Sequence, residues 1–145
     1  HECSSAASDV YKRQVVAKGA PGVFILPFPQ STSQVNLAEF SGLLGGHSIS
    51  ATGGEISPNN GRYVLIREHN EAYAWYRPPG VSLGEALAAN PCSLPVEDNG
   101  PQPAEAIGFY YNSVGQLAGY VTIYEGHDVP ITLFSVLSAG GAGNR

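Results

Sequence analysis

A mostly β fold of the α+β class is predicted by this sequence: antiparallel hairpins forming a sheet or a small sandwich or roll, with two short helices. Three observations predict it. Glycine and proline are abundant, at 18 and 11 of 145 residues, while charged residues make up only 13%, a balance that favours short strands and tight turns over long helices. The apolar runs are brief and bounded by turn chemistry. Two tyrosine-rich stretches, RYVLIREHNEAYAWYRPPG and IGFYYNSVGQLAGYVTIYEG, each read as two strands folded back on one turn.

Taken in order, GVFILPF (22–28) is a short apolar run expected to form a strand buried on both sides and ended by Pro27. NLAEFSGLL (36–44) follows, with Asn36 placed as an N-cap, Glu39 three residues on, and Leu37, Phe40 and Leu44 on one helical face. It predicts the first helix. HSISATGG (47–54) alternates weakly and predicts a strand, and SPNNG (57–61) is a turn.

The next hairpin is the most informative. A turn at His69-Asn70 pairs residues whose numbers sum to 139, setting Val64 opposite Trp75 and Ile66 opposite Tyr73 on one face. Tyr63 with Tyr76, Leu65 with Ala74 and Arg67 with Ala72 then occupy the other. Both faces are apolar or aromatic. Glu68 opposite Glu71 would repel, so the ladder is expected to open there into a four-residue loop.

Ser82 and Glu85 form a capping box opening the second helix, SLGEALAAN, and PCSLPVEDNGPQP (91–103) reads as a surface loop. The second hairpin turns near Val114-Gly115 with pairs summing to 229, so Phe109 meets Tyr120, Tyr111 meets Ala118, and Tyr110 covers Gly119. VPITLFSVL (129–137) is a last strand, with Ile131, Leu133 and Leu137 on one side and Phe134 and Val136 on the other.

For domain organisation, residues 15–140 are expected to form one globular β-rich domain and 141–145 a flexible tail. Within the opening HECSSAASDVYKRQ, the string SSAASDVYKRQ resembles the translated adaptor sequence found at the edges of assembled reads, and residues 1–14 are expected to be a non-native or disordered leader. On that reading three functional ideas lapse: a copper brace built on His1, a disulfide between Cys3 and Cys92, and processing at Lys12-Arg13. A Cys3–Cys92 pair would lean the chain toward an extracytoplasmic compartment.

The formal charge of −5, with seven scattered Lys and Arg, argues against a nucleic-acid partner, because phosphate binding needs clustered cations. No apolar run reaches the roughly 20 residues of a membrane-spanning helix. Motifs for chemistry are sparse: there is no GxSxG, HExxH, CxxC or GxGxxG. Glu68-His69-Asn70-Glu71 and Glu125-Gly126-His127-Asp128 bring carboxylates beside imidazoles, which suits acid/base work or a metal, and His69, Glu125, His127 and Asp128 are the candidate ligands, with His47 as a further donor. No cofactor is expected.

SPNNGRYVLIREHNEAYAWYRP resembles the repeat of bulb-type mannose-binding lectins, whose sugar site reads Q-x-D-x-N-x-V-x-Y. On that spacing stand Arg67, His69, Glu71, Tyr73 and Trp75, none of which keeps the family's residue. The resemblance therefore implies nothing about the site. The aromatic rings themselves carry the leading expectation, a non-catalytic domain that recognises a glycan or a protein through aromatic-bearing hairpins, with Tyr73, Trp75 and Tyr76 as contacts. The alternatives are a small metal-dependent or acid/base hydrolase using His69 or His127, and a structural or assembly module of a larger protein. The exposure of Trp75 and the positions of the histidines discriminate among them.

Overall fold

The computed structural model describes residues 13–16, 21–26, 29–45, 50–97, 104–125 and 131–135. Its clearest element is the first tyrosine-rich hairpin. β5 (Tyr63–Arg67) and β6 (Ala72–Tyr76) pair antiparallel in the expected register, from Tyr63↔Tyr76 to Arg67↔Ala72. Beyond it, one backbone bond from Glu68 N to the Glu71 carbonyl closes the four-residue loop. β4 (Gly53–Ile56) and β7 (Cys92–Leu94) flank the hairpin and complete a four-stranded sheet in the order β4-β5-β6-β7.

Two further antiparallel sheets have three strands each. β1 (Arg13–Val16), β2 (Gly22–Leu26) and β3 (Glu39–Leu43) form one, and β8 (Ala104–Tyr111), β9 (Leu117–Tyr124) and β10 (Thr132–Ser135) form the other in the order β10-β9-β8. β1 begins at Arg13, inside the segment set aside as a leader; the rest of that segment and the tail lie outside the described residues.

The four-stranded sheet is buried on both faces because both its faces are apolar. Val64, Ile66, Tyr73 and Trp75 pack with Val23, Leu44, Leu83 and Leu87. Leu65 and Ala72 pack on the other side with Ile107 and Tyr120 from the third sheet. These two layers hold the described core, and the architecture is three antiparallel sheets rather than one sheet.

One helix, not two, occurs among the described residues. α1 (Leu83–Ala88) starts on the predicted capping box: Ser82 Oγ accepts from Glu85 N, and Glu85 Oε2 accepts from Ser82 N at 2.9 Å. The other predicted helix, residues 36–44, is strand β3. Asn36 does not cap a helix; its side chain accepts from Ser31 N at 2.7 Å and donates to the Ser31 carbonyl at 2.8 Å, closing a loop instead. β3 then has partners that outweigh helix propensity, with β2 along one edge and the Phe40 ring edge-on to Phe24 at 5.6 Å.

α1 lies directly on this strand. A Cβ on Gly84 would come 2.2 Å from the Ser41 carbonyl oxygen, and Gly45 N donates to the Leu87 carbonyl at 2.7 Å. Of the strand expected over 47–54, residues 47–49 lie outside the described residues, 50–52 are not strand, and the strand runs Gly53–Ile56. The loop expected over 91–103 contains β7, which pairs with β6.

Candidate functional site

The second hairpin carries the feature with the most functional content. β8 and β9 pair as predicted from Ala106↔Ile123 to Tyr110↔Gly119, but a bulge after Tyr110 pairs Tyr111 with Leu117 instead of Ala118. The Asn112 side chain causes the offset: its Oδ1 accepts from both Val114 N and Gln116 N, taking up one residue of the ladder. Gly115 supplies the positive φ of 76° that the turn needs.

Paired residues share a face of the sheet. Ile107 with Thr122 and Thr132, and Phe109 with Tyr120 and Phe134, point inward, where the Tyr120 and Phe134 rings stack at 4.9 Å. The outer face therefore carries Ala106 with Ile123, Gly108 with Val121 and Leu133, and Tyr110 with Gly119 and Ser135. No paired position on it is charged. Tyr110, Ile123, Leu133 and the adjoining Ile131 are exposed. Carboxylates border this face: Glu55 Oε2 accepts from Phe109 N at 2.6 Å and lies 3.2 Å from where a Gly108 Cβ would stand, and Glu125 is exposed just past the end of β9. Gly119 is required for a reason other than cover by Tyr110: a Cβ there would lie 2.1 Å from the Phe134 carbonyl oxygen of β10.

The three aromatic contact candidates separate. Trp75 is 3% exposed, in the layer beneath α1, with Nε1 donating to the Ala89 carbonyl at 2.9 Å. Tyr73 is equally buried, its ring 6.2 Å from Trp75 and its hydroxyl donating to Glu71 Oε2 at 2.5 Å. Burial, with the Glu71 bond added, holds that hydroxyl well above the usual tyrosine pKa. Both rings are core. Tyr76, 56% exposed, is at the surface and forms a tilted pair with Tyr63 at 5.5 Å.

Of the candidate acid/base and metal-binding groups, His69 sits in the β5–β6 loop with Nδ1 buried and unpartnered, and its carbonyl accepts from Ala104 N at 3.4 Å. Glu68 is buried, Glu71 is engaged by Tyr73, and Glu125 is exposed at the end of β9. His1, Cys3, His47, His127 and Asp128 lie outside the described residues. Among the described residues no three His, Cys, Asp or Glu side chains converge as a metal site would require. Cys92 is a free, exposed thiol on β7.

Sequence reasoning did not anticipate that β10 would join β9 and widen an apolar face, because nothing in the sequence of residues 125–131 sets a register as a two-residue hairpin turn does. Nor did it anticipate the burial of Arg67. The sign was present in the alternation of β5, which puts Arg67 on the same side as Leu65, but a charge at a strand end ordinarily reaches solvent. No helix among the described residues is long and apolar enough to cross a membrane.

No family model matches the chain, and neither the curated proteins nor the solved structures contain a match to it.

Proposed function

We propose that this chain is a non-catalytic recognition domain whose ligand is protein, taken on the outer face of β8, β9 and β10, and that the protein it recognises there is a second copy of itself. The observation that carries the reading is the apolar character of the paired positions of that face, with Tyr110, Ile123, Ile131 and Leu133 exposed on it and carboxylates only at its margin. Interface centres are depleted in charge and enriched in aromatic rings. In a two-fold contact the same patch serves both copies, so a patch rich in charge of one sign would meet its own sign. The paired positions of this face carry none, although the chain carries a net −5.

Three strands about 4.8 Å apart and some 20 Å long present on the order of 300 Å². That is well under half the roughly 800 Å² per partner of a standard stable complex. Each contact is therefore weak, and several acting together give strength by avidity, as in an assembly module. The second exposed apolar stretch, Val35, Leu37, Phe40 and Leu43, fits the same role.

Sedimentation equilibrium of the full chain from micromolar to millimolar concentration tests the proposal. Reversible association that strengthens with added salt is expected, since salt screens the net charge and leaves apolar burial intact. Ile123→Lys and Leu133→Lys should abolish it. A wild-type chain that stays monomeric throughout, or association unchanged in both variants, would exclude self-recognition through this face.

The exposed Tyr63–Tyr76 pair favours a second reading, stacking on the apolar faces of a neutral sugar. Amide shift changes around β5 and β6 on titration with neutral oligosaccharides, lost in Tyr76→Ala, would support it; their absence would remove it.

A further inference from the structure

Arg67 ends β5 with its side chain wholly buried on the face that meets the third sheet. A guanidinium has five N–H donors. Here Nη2 donates to the Tyr124 hydroxyl at 2.9 Å, and that hydroxyl donates in turn to the Glu97 carbonyl at 2.5 Å. Nε and Nη1 are buried without a partner. The charge lies 5.3 Å from the centre of the Tyr124 ring, and no carboxylate pairs with it among the described residues.

A second orphan stands close by in the fold. Tyr124 contacts the guanidinium through its hydroxyl and its ring, and Thr122, two residues before it on the same side of β9, is fully buried with its hydroxyl unpartnered. The lining is thus cationic and rich in unused donors. A buried, unpaired charge is strongly unfavourable, and folds keep one where a counter-charge meets it. A neutral guest would satisfy the N–H groups but leave the charge uncompensated.

We propose that Arg67 and Thr122 hold a small inorganic anion, a halide or nitrate, between the four-stranded sheet and the sheet of β8, β9 and β10. Complete burial limits the guest to a few atoms. The guanidinium N–H groups and the Thr122 hydroxyl can all donate, which suits an acceptor that carries no proton of its own. The Glu97 carboxylate is turned to the Thr132 hydroxyl, which donates to it at 2.6 Å, and the Tyr124 to Glu97 relay fixes the guanidinium from behind.

Thermal unfolding of the full chain tests this, with sodium chloride replacing sodium gluconate at constant ionic strength. Gluconate is too large to enter. Chloride should raise Tm in proportion to the logarithm of its concentration above Kd, by about 5 °C at ten times Kd. Arg67→Met should lose the response, and Thr122→Val should keep it with the onset moved to several-fold higher chloride. A wild-type response that is absent, or that grows linearly with chloride concentration, overturns the proposal, as does a logarithmic response that persists in Arg67→Met. If Arg67→Met does not fold, the wild-type concentration dependence and Thr122→Val decide.

Discussion

Neighbouring residues of β6 have opposite fates, and this gives the sharpest test of the register. Trp75 fills the layer under α1 and Tyr76 stands in solvent, so Trp75→Ala should cost about 3–5 kcal/mol in urea unfolding. Tyr76→Ala should cost about 1 kcal/mol or less, the contribution of its ring contact with Tyr63. Equal losses at the two positions would mean that the strand faces are not those described. The buried tyrosines also set an alkaline limit. Burial pushes the Tyr120 hydroxyl up from 10 to about 12, against an opposing pull from Arg67, while its proton is donated to the Pro95 carbonyl at 2.5 Å. Burial first, then Glu55, raises Tyr111 as well. The unfolded chain ionises near pH 10 while the folded chain still holds these protons. The stability they contribute is therefore complete below pH 10 and falls as pH rises toward about 12. Denaturant midpoints measured across that interval should decline, and more shallowly in Tyr120→Phe. That variant starts from a lower plateau because the Pro95 carbonyl loses its donor. A flat profile in the wild type would contradict the burial.

At the scale of elements, what could be read in advance was what neighbours in sequence decide. The hairpin of β5 and β6 pairs as its alternation implies because each strand has an apolar partner on both faces, so a slip by one residue would exchange the two layers. Ser82 and Glu85 cap α1 as expected because a capping box needs only four consecutive residues. The same pattern at Asn36 and Glu39 misled, since β2 and α1 both require an extended strand there, and neither requirement is visible within residues 36–44. Gly84 shows the strength of that requirement. Helix propensity alone predicts that Gly84→Ala gains about 1 kcal/mol, yet the new methyl group would sit 2.2 Å from the Ser41 carbonyl oxygen. Backbone on both sides cannot swing away as a side chain can. The substitution should therefore destabilise by about 2 kcal/mol or more on equilibrium unfolding, and a gain would mean that α1 does not seat on β3.

For the whole molecule, the arrangement of three sheets depends on contacts far apart in the chain, which local patterning does not encode. The candidate site shares that origin. Tyr110 and Ile123 could be placed on one face from the hairpin register, but Leu133 joins them only through the pairing of β10. Layering has a measurable consequence. β5 and β6 carry packed side chains on both faces and strands on both edges, so their amides open only when both layers separate, which amounts to global unfolding. β10 is an edge strand with exposed residues on its outer side. It should open alone, at a free energy well below the global value, and its amides should show little sensitivity to denaturant. Native-state hydrogen exchange should therefore rank the slowest amides in β5 and β6 and the fastest ladder amides in β10. It should also show β10 slowing as protein concentration rises, because a second copy seated on the outer face would cover it. Concentration-independent exchange in β10, with β5 and β6 still slowest, would uphold the layered core while removing the self-recognition surface. Uniform protection across all three sheets would overturn the layering itself.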